Sequence, residues 1–245
     1  MKANANQRVL EIIRKYGLGT DCVSGNEVKR SVESGFDSKK IVFAGVGKTD
    51  EEIMYALEKD IFCFNCESMQ ELEVINGLAG KLGKRANVAI RINPNVNANT
   101  HKYITTGLEE NKFGINPYEF TEVIEKIESL PNLWLYGLHF HIGSQITDLS
   151  TFKNLCSRVN EFYSYFENKQ FKLDHLNVGG GLGIDYKNPD GNPIPDFAAY
   201  FKLFDDFLDR KFRPAIHFEL GRAVVAQCGN LISKVLYVKE GINTN

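Results

Sequence analysis

The sequence predicts an α/β fold: a (β/α)8 barrel of the TIM type that lacks its first strand and is followed by the start of a C-terminal β domain. Three observations predict it. Short apolar runs alternate with amphipathic stretches along most of the chain. The runs are apolar at consecutive positions, as strands covered on both faces are. The connections are short, which suits parallel strands joined by helices. At 245 residues the chain matches one such barrel in length, about 250 residues.

Taken in order, residues 6–16 read as a helix, with Val9, Leu10, Ile12 and Ile13 on an apolar stripe and Gly17 as the stop. Residues 20–23 form a short strand, and Ser24 or Asn26 caps a helix that runs to Ser34 and closes at Gly35. A strand at 41–44 precedes a helix capped by Thr49 or Asp50 and ending at Lys59. A strand at 61–65 leads to Ser68-x-x-Glu71, which resembles a capping box opening a helix to Leu82. After a strand at 87–92, residues 93–116 lack periodicity, and a loop that long in a compact domain is usually functional or mobile. Pro117 starts a helix to Glu128, and a strand at 133–141, a helix at 149–167, a strand at 173–178, a helix at 197–210 and a strand at 215–220 complete the pattern.

That makes seven strands before Arg222, where a closed barrel needs eight. The missing strand belongs just before Lys2, so Met1 reads as an internal position. Residues 231–239 alternate and are β-branched, like the first strand of a separate antiparallel domain. The expected division is therefore 1–222 for the barrel and 223–245 for the start of a β domain, in a chain cut at both ends or far from its relatives.

A net charge of −2 gives no electrostatic case for nucleic acid or an anionic membrane. The longest apolar runs, such as 133–140, are far too short to span a bilayer. No charged start with an apolar core marks a signal peptide. Five scattered cysteines suit a reducing cytoplasm. The single C-x-x-C, Cys63 to Cys66, has no second pair and reads as two cysteines at a strand end. Gly45-Val46-Gly47-Lys48-Thr49 imitates a phosphate loop, but Val42 stands where that motif needs glycine.

In a parallel barrel the loops after the strands build the active site. Lys2, Asp21, Arg91, His141, the run Gly179, Gly180 and Gly181, and Glu219 all fall at or near such ends. The glycines let backbone N–H groups converge on an anion, and the loops after the last two strands are the usual phosphate site. Gly221 and Arg222 would complete that cradle; a tight turn is the plain alternative. Glu219, at the end of a buried strand, must be paired. It suits a pyridine nitrogen, or an ion pair with Arg222 or Arg91. His139 and His141 share a strand face, which permits a metal pair or one histidine lying flat on a ring; Gly143-Ser144 after His141 suits a phosphate better. With a ring-stacking group, a phosphate cradle and a carboxylate in place, Lys2 reads as the Schiff-base lysine of pyridoxal 5'-phosphate.

Lys2-Ala3-Asn4, the stretch from Asp21 to Glu27, Arg91-Ile92-Asn93-Pro94, Tyr103-Ile104-Thr105-Thr106-Gly107 with Asn111-Lys112-Phe113-Gly114, His139-Phe140-His141-Ile142-Gly143-Ser144-Gln145, the 179–183 glycine run and Glu219-Leu220-Gly221-Arg222 together resemble the diaminopimelate decarboxylase family. This family belongs to the alanine-racemase-like, fold-type III group of pyridoxal-phosphate enzymes. The resemblance covers essentially the whole chain, in order. It implies decarboxylation of meso-diaminopimelate to L-lysine, a homodimer, and Lys2 and His141 as catalytic residues. By the same resemblance Ser144, Gly179, Gly180, Gly181, Gly221 and Arg222 surround the phosphate, and Arg222 reaches a substrate carboxylate. Glu219 meets the ring nitrogen, and Asp21 and Arg91 lie near the Schiff base and the ring hydroxyl. Lys2 must be neutral to attack, so a desolvated position is expected for it. Leu220 stands where the family usually has proline. The family's second domain, which reads the distal end of the substrate, is not among these residues. The alternatives are a related decarboxylase acting on carboxynorspermidine or another basic amino acid, a cofactor-carrying barrel without catalysis, and a metal-dependent hydrolase using His139 and His141.

Overall fold

The computed structural model describes residues 1–96, 113–209 and 214–241. Seven strands, β1 (Thr20–Cys22), β2 (Ile41–Phe43), β3 (Cys63–Cys66), β4 (Ala86–Ile92), β5 (Leu133–Phe140), β6 (His175–Asn177) and β7 (Ala215–His217), form one sheet in sequential order. Every pairing is parallel. Among the described residues β1 and β7 each have one strand neighbour. This is the seven-strand, curled α/β barrel sheet that the alternation predicts, open where the eighth strand would stand.

The connecting helices are α1 (Gln7–Lys15), α2 (Gly25–Glu33), α3 (Asp50–Glu58), α4 (Met69–Lys81), α5 (Phe120–Glu128), α6 (Ser150–Asn168) and α7 (Phe197–Phe207), followed by a short α8 (Gly221–Val225) that the spacing does not reveal. Their starts follow local chemistry. Asn6, Ser24 and Thr49 each accept a backbone N–H of the first turn, and Thr49 closes a full capping box with Glu52. Such caps contribute about 1 kcal/mol each. The box expected at Ser68 is only half made. Ser68 Oγ accepts from Glu71 N–H at 3.2 Å, but the Glu71 carboxylate turns to the Glu67 N–H and to Lys48. Pro117 opens a 3-10 turn, Pro117–Glu119, before α5 begins at Phe120.

Strand alternation divides the core in two. Outward-facing Phe43, Phe64, Ile90, Leu138, Phe140 and Leu176 are buried under the helices. The inward face is a smaller cluster of Val42, Cys63 and Ala89 against Phe62. At its base the Phe62 ring stacks on His217 at 5.3 Å between centroids, and His175 meets His217 edge-on at 4.3 Å. Cys63 and Cys66 are buried, free thiols on β3, as the reading of two strand-end cysteines has it.

Several expectations are corrected. The strand at 215–220 stops at His217, and the helix expected to reach Arg210 ends at Phe207. Within the stretch expected to be a loop, Ile115 returns to lie parallel beside Ile92, in a single bridge at the end of β4. The motif residues Tyr103, Ile104, Thr105, Thr106, Gly107, Asn111 and Lys112 lie outside the described residues. No strand forms over 231–239, where Leu231 and Tyr237 are 97% and 91% exposed. A strand needs a partner for its N–H and C=O groups, and the described residues offer this segment none.

Candidate functional site

The carboxyl ends of the strands gather the predicted residues at one end of the barrel. Glu219 is the centre. Its Oε1 accepts from the Asn177 amide at 2.8 Å and lies 3.1 Å from His139 Nε2; its Oε2 lies 3.8 Å from His141 Nδ1. Among the described residues the partners of Glu219 are these three groups, not Arg222 or Arg91. Burial opposes the Glu219 charge, but His139, His141 and Asn177 outweigh it and hold the carboxyl at about 2, well below the usual range. His139 and His141, two apart along the chain, thus turn toward one carboxylate. Burial, aided by the Arg91 charge and against that of Glu219, lowers His141 to about 4, so its imidazole is neutral near pH 7.

Asp21, midway along β1, behaves in the opposite way. Burial first, and the Glu219 charge second, push its carboxyl well above the usual range. Its Oδ1 is buried with no hydrogen-bond partner among the described residues. Arg91, on β4, donates to Glu67 Oε1 at 2.6 Å and lies 5.1 Å from the centre of the Phe113 ring.

The glycine run follows β6. Gly179 has φ +73°, and a Cβ there would meet Phe140 O at 2.2 Å; a Cβ on Gly180 would lie 2.1 Å from Glu219 O. Gly181, at φ +104°, is equally closed to a side chain. The loop is held from both sides. Gly179 N–H donates to Asn177 Oδ1 at 2.9 Å, Glu219 N–H to Gly179 O at 2.8 Å, and Ile146 N–H to Gly181 O at 2.8 Å. Beside it, Arg222 Nη2 donates to Ser144 Oγ at 3.3 Å and Nη1 to the Tyr186 hydroxyl, while its buried Nε has no partner among the described residues.

Gly221 begins α8 against Ala3, whose Cβ would be 3.0 Å from a Cβ on that glycine. That contact brings the chain start to the glycine loop, and the Lys2 charge is felt at both Asp21 and His141. Lys2 itself is exposed, on a turn. The desolvated position expected for it is therefore not seen, because no strand or helix of the described residues covers that turn. Sequence reasoning missed Asn177, Glu67 and Tyr186. Asn177 was accessible by parity, since it shares the inward face with His175 and Gly179. Glu67 and Tyr186 carry no local signal, as their partners lie 24 and 36 residues away.

Comparison with known proteins identifies the family. Residues 1–226 match the family model described as pyridoxal-dependent decarboxylase, pyridoxal binding domain. The chain is 56% identical over 241 residues to a diaminopimelate decarboxylase of Bacteroides thetaiotaomicron, covering 98% of this chain and 62% of the relative. It is 41% identical over 240 residues to that of Aquifex aeolicus, covering 98% of this chain and 56% of the relative. The chain therefore spans about three fifths of the length of these curated relatives. The crystal structure of diaminopimelate decarboxylase from Helicobacter pylori complexed with L-lysine superposes with a TM-score of 0.90 at 38% identity, covering 98% of this chain and 60% of that one. With a matching fold and a family model that fits residues 1–226, the chain belongs to the pyridoxal-dependent decarboxylase family and carries its pyridoxal-binding domain.

Proposed function

We propose that this chain is the cofactor-binding barrel of an enzyme that decarboxylates meso-diaminopimelate to L-lysine, the last step of lysine biosynthesis. The observation that carries the reading is the 56% identity to a diaminopimelate decarboxylase across 98% of the chain. The residues present fit pyridoxal phosphate. A backbone cradle that Cβ atoms would fill suits a phosphate, and Arg222 Nε and Asp21 Oδ1, buried and without a partner among the described residues, are polar atoms a bound group can satisfy.

When bound, the cofactor offers an aldehyde to an amine and a ring that accepts the electron pair left by departing carbon dioxide. With the cofactor bound, Lys2 would supply the amine that holds its aldehyde, Glu219, held ionised, would serve the ring nitrogen, and His141, neutral, would be the ring-stacking group. Gly179, Gly180, Gly181, Gly221, Ser144 and Arg222 would bind the phosphate, and Arg222 would also reach a substrate carboxylate. Asp21 and Arg91 would serve the Schiff base and the ring hydroxyl. Residues 1–222 form this barrel and 223–245 open a β domain, a division supported by the alternation at 231–239. The whole protein acts as a cytoplasmic homodimer; five free cysteines agree with a reducing compartment. No helix among the described residues is long and apolar enough to cross a membrane.

The test is carbon dioxide release from meso-diaminopimelate by the full-length protein with pyridoxal phosphate. Lysine should appear in equal amount, and Lys2→Ala should abolish both the reaction and the borohydride-trapped cofactor adduct. No carbon dioxide from the parent protein would sink the reading.

A further inference from the structure

Lys48 lies in the stretch whose glycine spacing fails the phosphate-loop pattern, and the structure gives it different work. Its ammonium is buried, with a side chain 1% exposed. It donates to Glu71 Oε1 at 2.5 Å, Gly45 O at 2.8 Å and Asn65 O at 3.0 Å, so all three donors are used. Glu71 Oε2 accepts the Glu67 N–H at 2.7 Å, and Glu67 Oε1 accepts Arg91 Nη1 at 2.6 Å. The Glu67 and Arg91 side chains are 4% and 11% exposed. Glu67 Oε2 is buried without a hydrogen-bond partner among the described residues, so its carboxylate depends on Arg91. Four charges thus link the loop after β2, the first turn of α4, the end of β3 and the inward face of β4.

Buried ion pairs are poor devices for stability, because desolvation consumes most of the Coulomb gain. What such a chain supplies is geometry. We infer that Lys48, Glu71 and Glu67 form a positioning relay that sets Arg91 for the cofactor. Glu67 holds the guanidinium directly; Lys48 and Glu71 hold the β3–α4 turn that carries Glu67. The inference rests on the cofactor-binding reading above, and none of the three residues is assigned to the chemistry itself.

The experiment uses the full-length protein with pyridoxal phosphate. It measures cofactor affinity by titration, the induced circular dichroism of the bound cofactor's visible band, and Tm of the cofactor-free protein. Glu67→Gln should weaken cofactor binding roughly tenfold and change the dichroism, and Glu67→Asp should restore part of both. Lys48→Met should move the same two readouts in the same direction, and should add little in the Glu67→Gln background. Parent-like affinity and dichroism in these variants, with only Tm lowered, would overturn the relay in favour of a structural role. If Lys48→Met does not fold, the isosteric Glu67→Gln decides the matter alone. A parent protein that binds no cofactor would overturn the site reading, and the relay with it.

Discussion

Two carboxyl groups at the same end of the barrel are driven apart by their surroundings. Glu219 has the Asn177 amide and two imidazoles; Asp21 has burial and the repulsion of Glu219. A carboxyl whose folded pKa is raised opposes folding above its unfolded value of about 3.9. Asp21→Asn removes that opposition at neutral pH. Tm of the cofactor-free protein should therefore rise, by an amount worth about 1 kcal/mol, while decarboxylation falls. Calorimetry beside an activity assay checks both; a lowered Tm would show that Asp21 is compensated in a way the structure does not record. Such separation of paired titratable groups is typical of sites that do acid–base or electronic work.

At the scale of elements, the turn after β6 is the most constrained. A Cβ on Gly180 would lie 2.1 Å from the Glu219 carbonyl, which is backbone and cannot swing aside. Gly180→Ala should cost roughly 1–3 kcal/mol by overpacking and weaken cofactor binding at least tenfold, by urea unfolding and cofactor titration. Unchanged values would mean that the Glu219 strand end moves freely. Gly229, with no atom within 4 Å of an added Cβ, is the control that should tolerate alanine. The short α8 was invisible to periodicity because one turn shows no repeat, whereas Ser24 and Thr49 stood among the cap candidates by residue type, and the structure chose them over Asn26 and Asp50.

For the molecule as a whole, acid sensitivity is set inside the barrel. Burial lowers His175 to about 3 and His141 to about 4, and lowers His217 as well. In the unfolded chain these imidazoles take up protons below about pH 6.5, while folded His141 does so only near pH 4 and His175 lower still. The unfolded state then binds more protons, so stability falls as pH drops from about 6.5 toward 4. Glu219, depressed, adds a loss below its unfolded value of about 4.3. Asp21 acts in the opposite direction but is one group against three. Tm should decline through this window, and His175→Phe, which keeps a ring beside Phe62 and His217, should make the decline shallower. An unaltered slope would place the sensitivity elsewhere.

By itself the sequence determined the parallel α/β barrel, its seven strands, most helix starts, and the end of the barrel where Asp21, Arg91, His141, the glycine run, Glu219 and Arg222 assemble. These are legible because strand burial, capping and glycine freedom are local properties that leave a local spacing. Only the tertiary structure decided that His139, His141 and Asn177 serve Glu219, that Glu71 leaves its capping box for Lys48, that Lys2 is exposed, and that 231–239 forms no strand among the described residues. The reason is physical. Those outcomes depend on which strands the curl of the sheet brings face to face and on whether a partner is present, and no spacing along the chain records either.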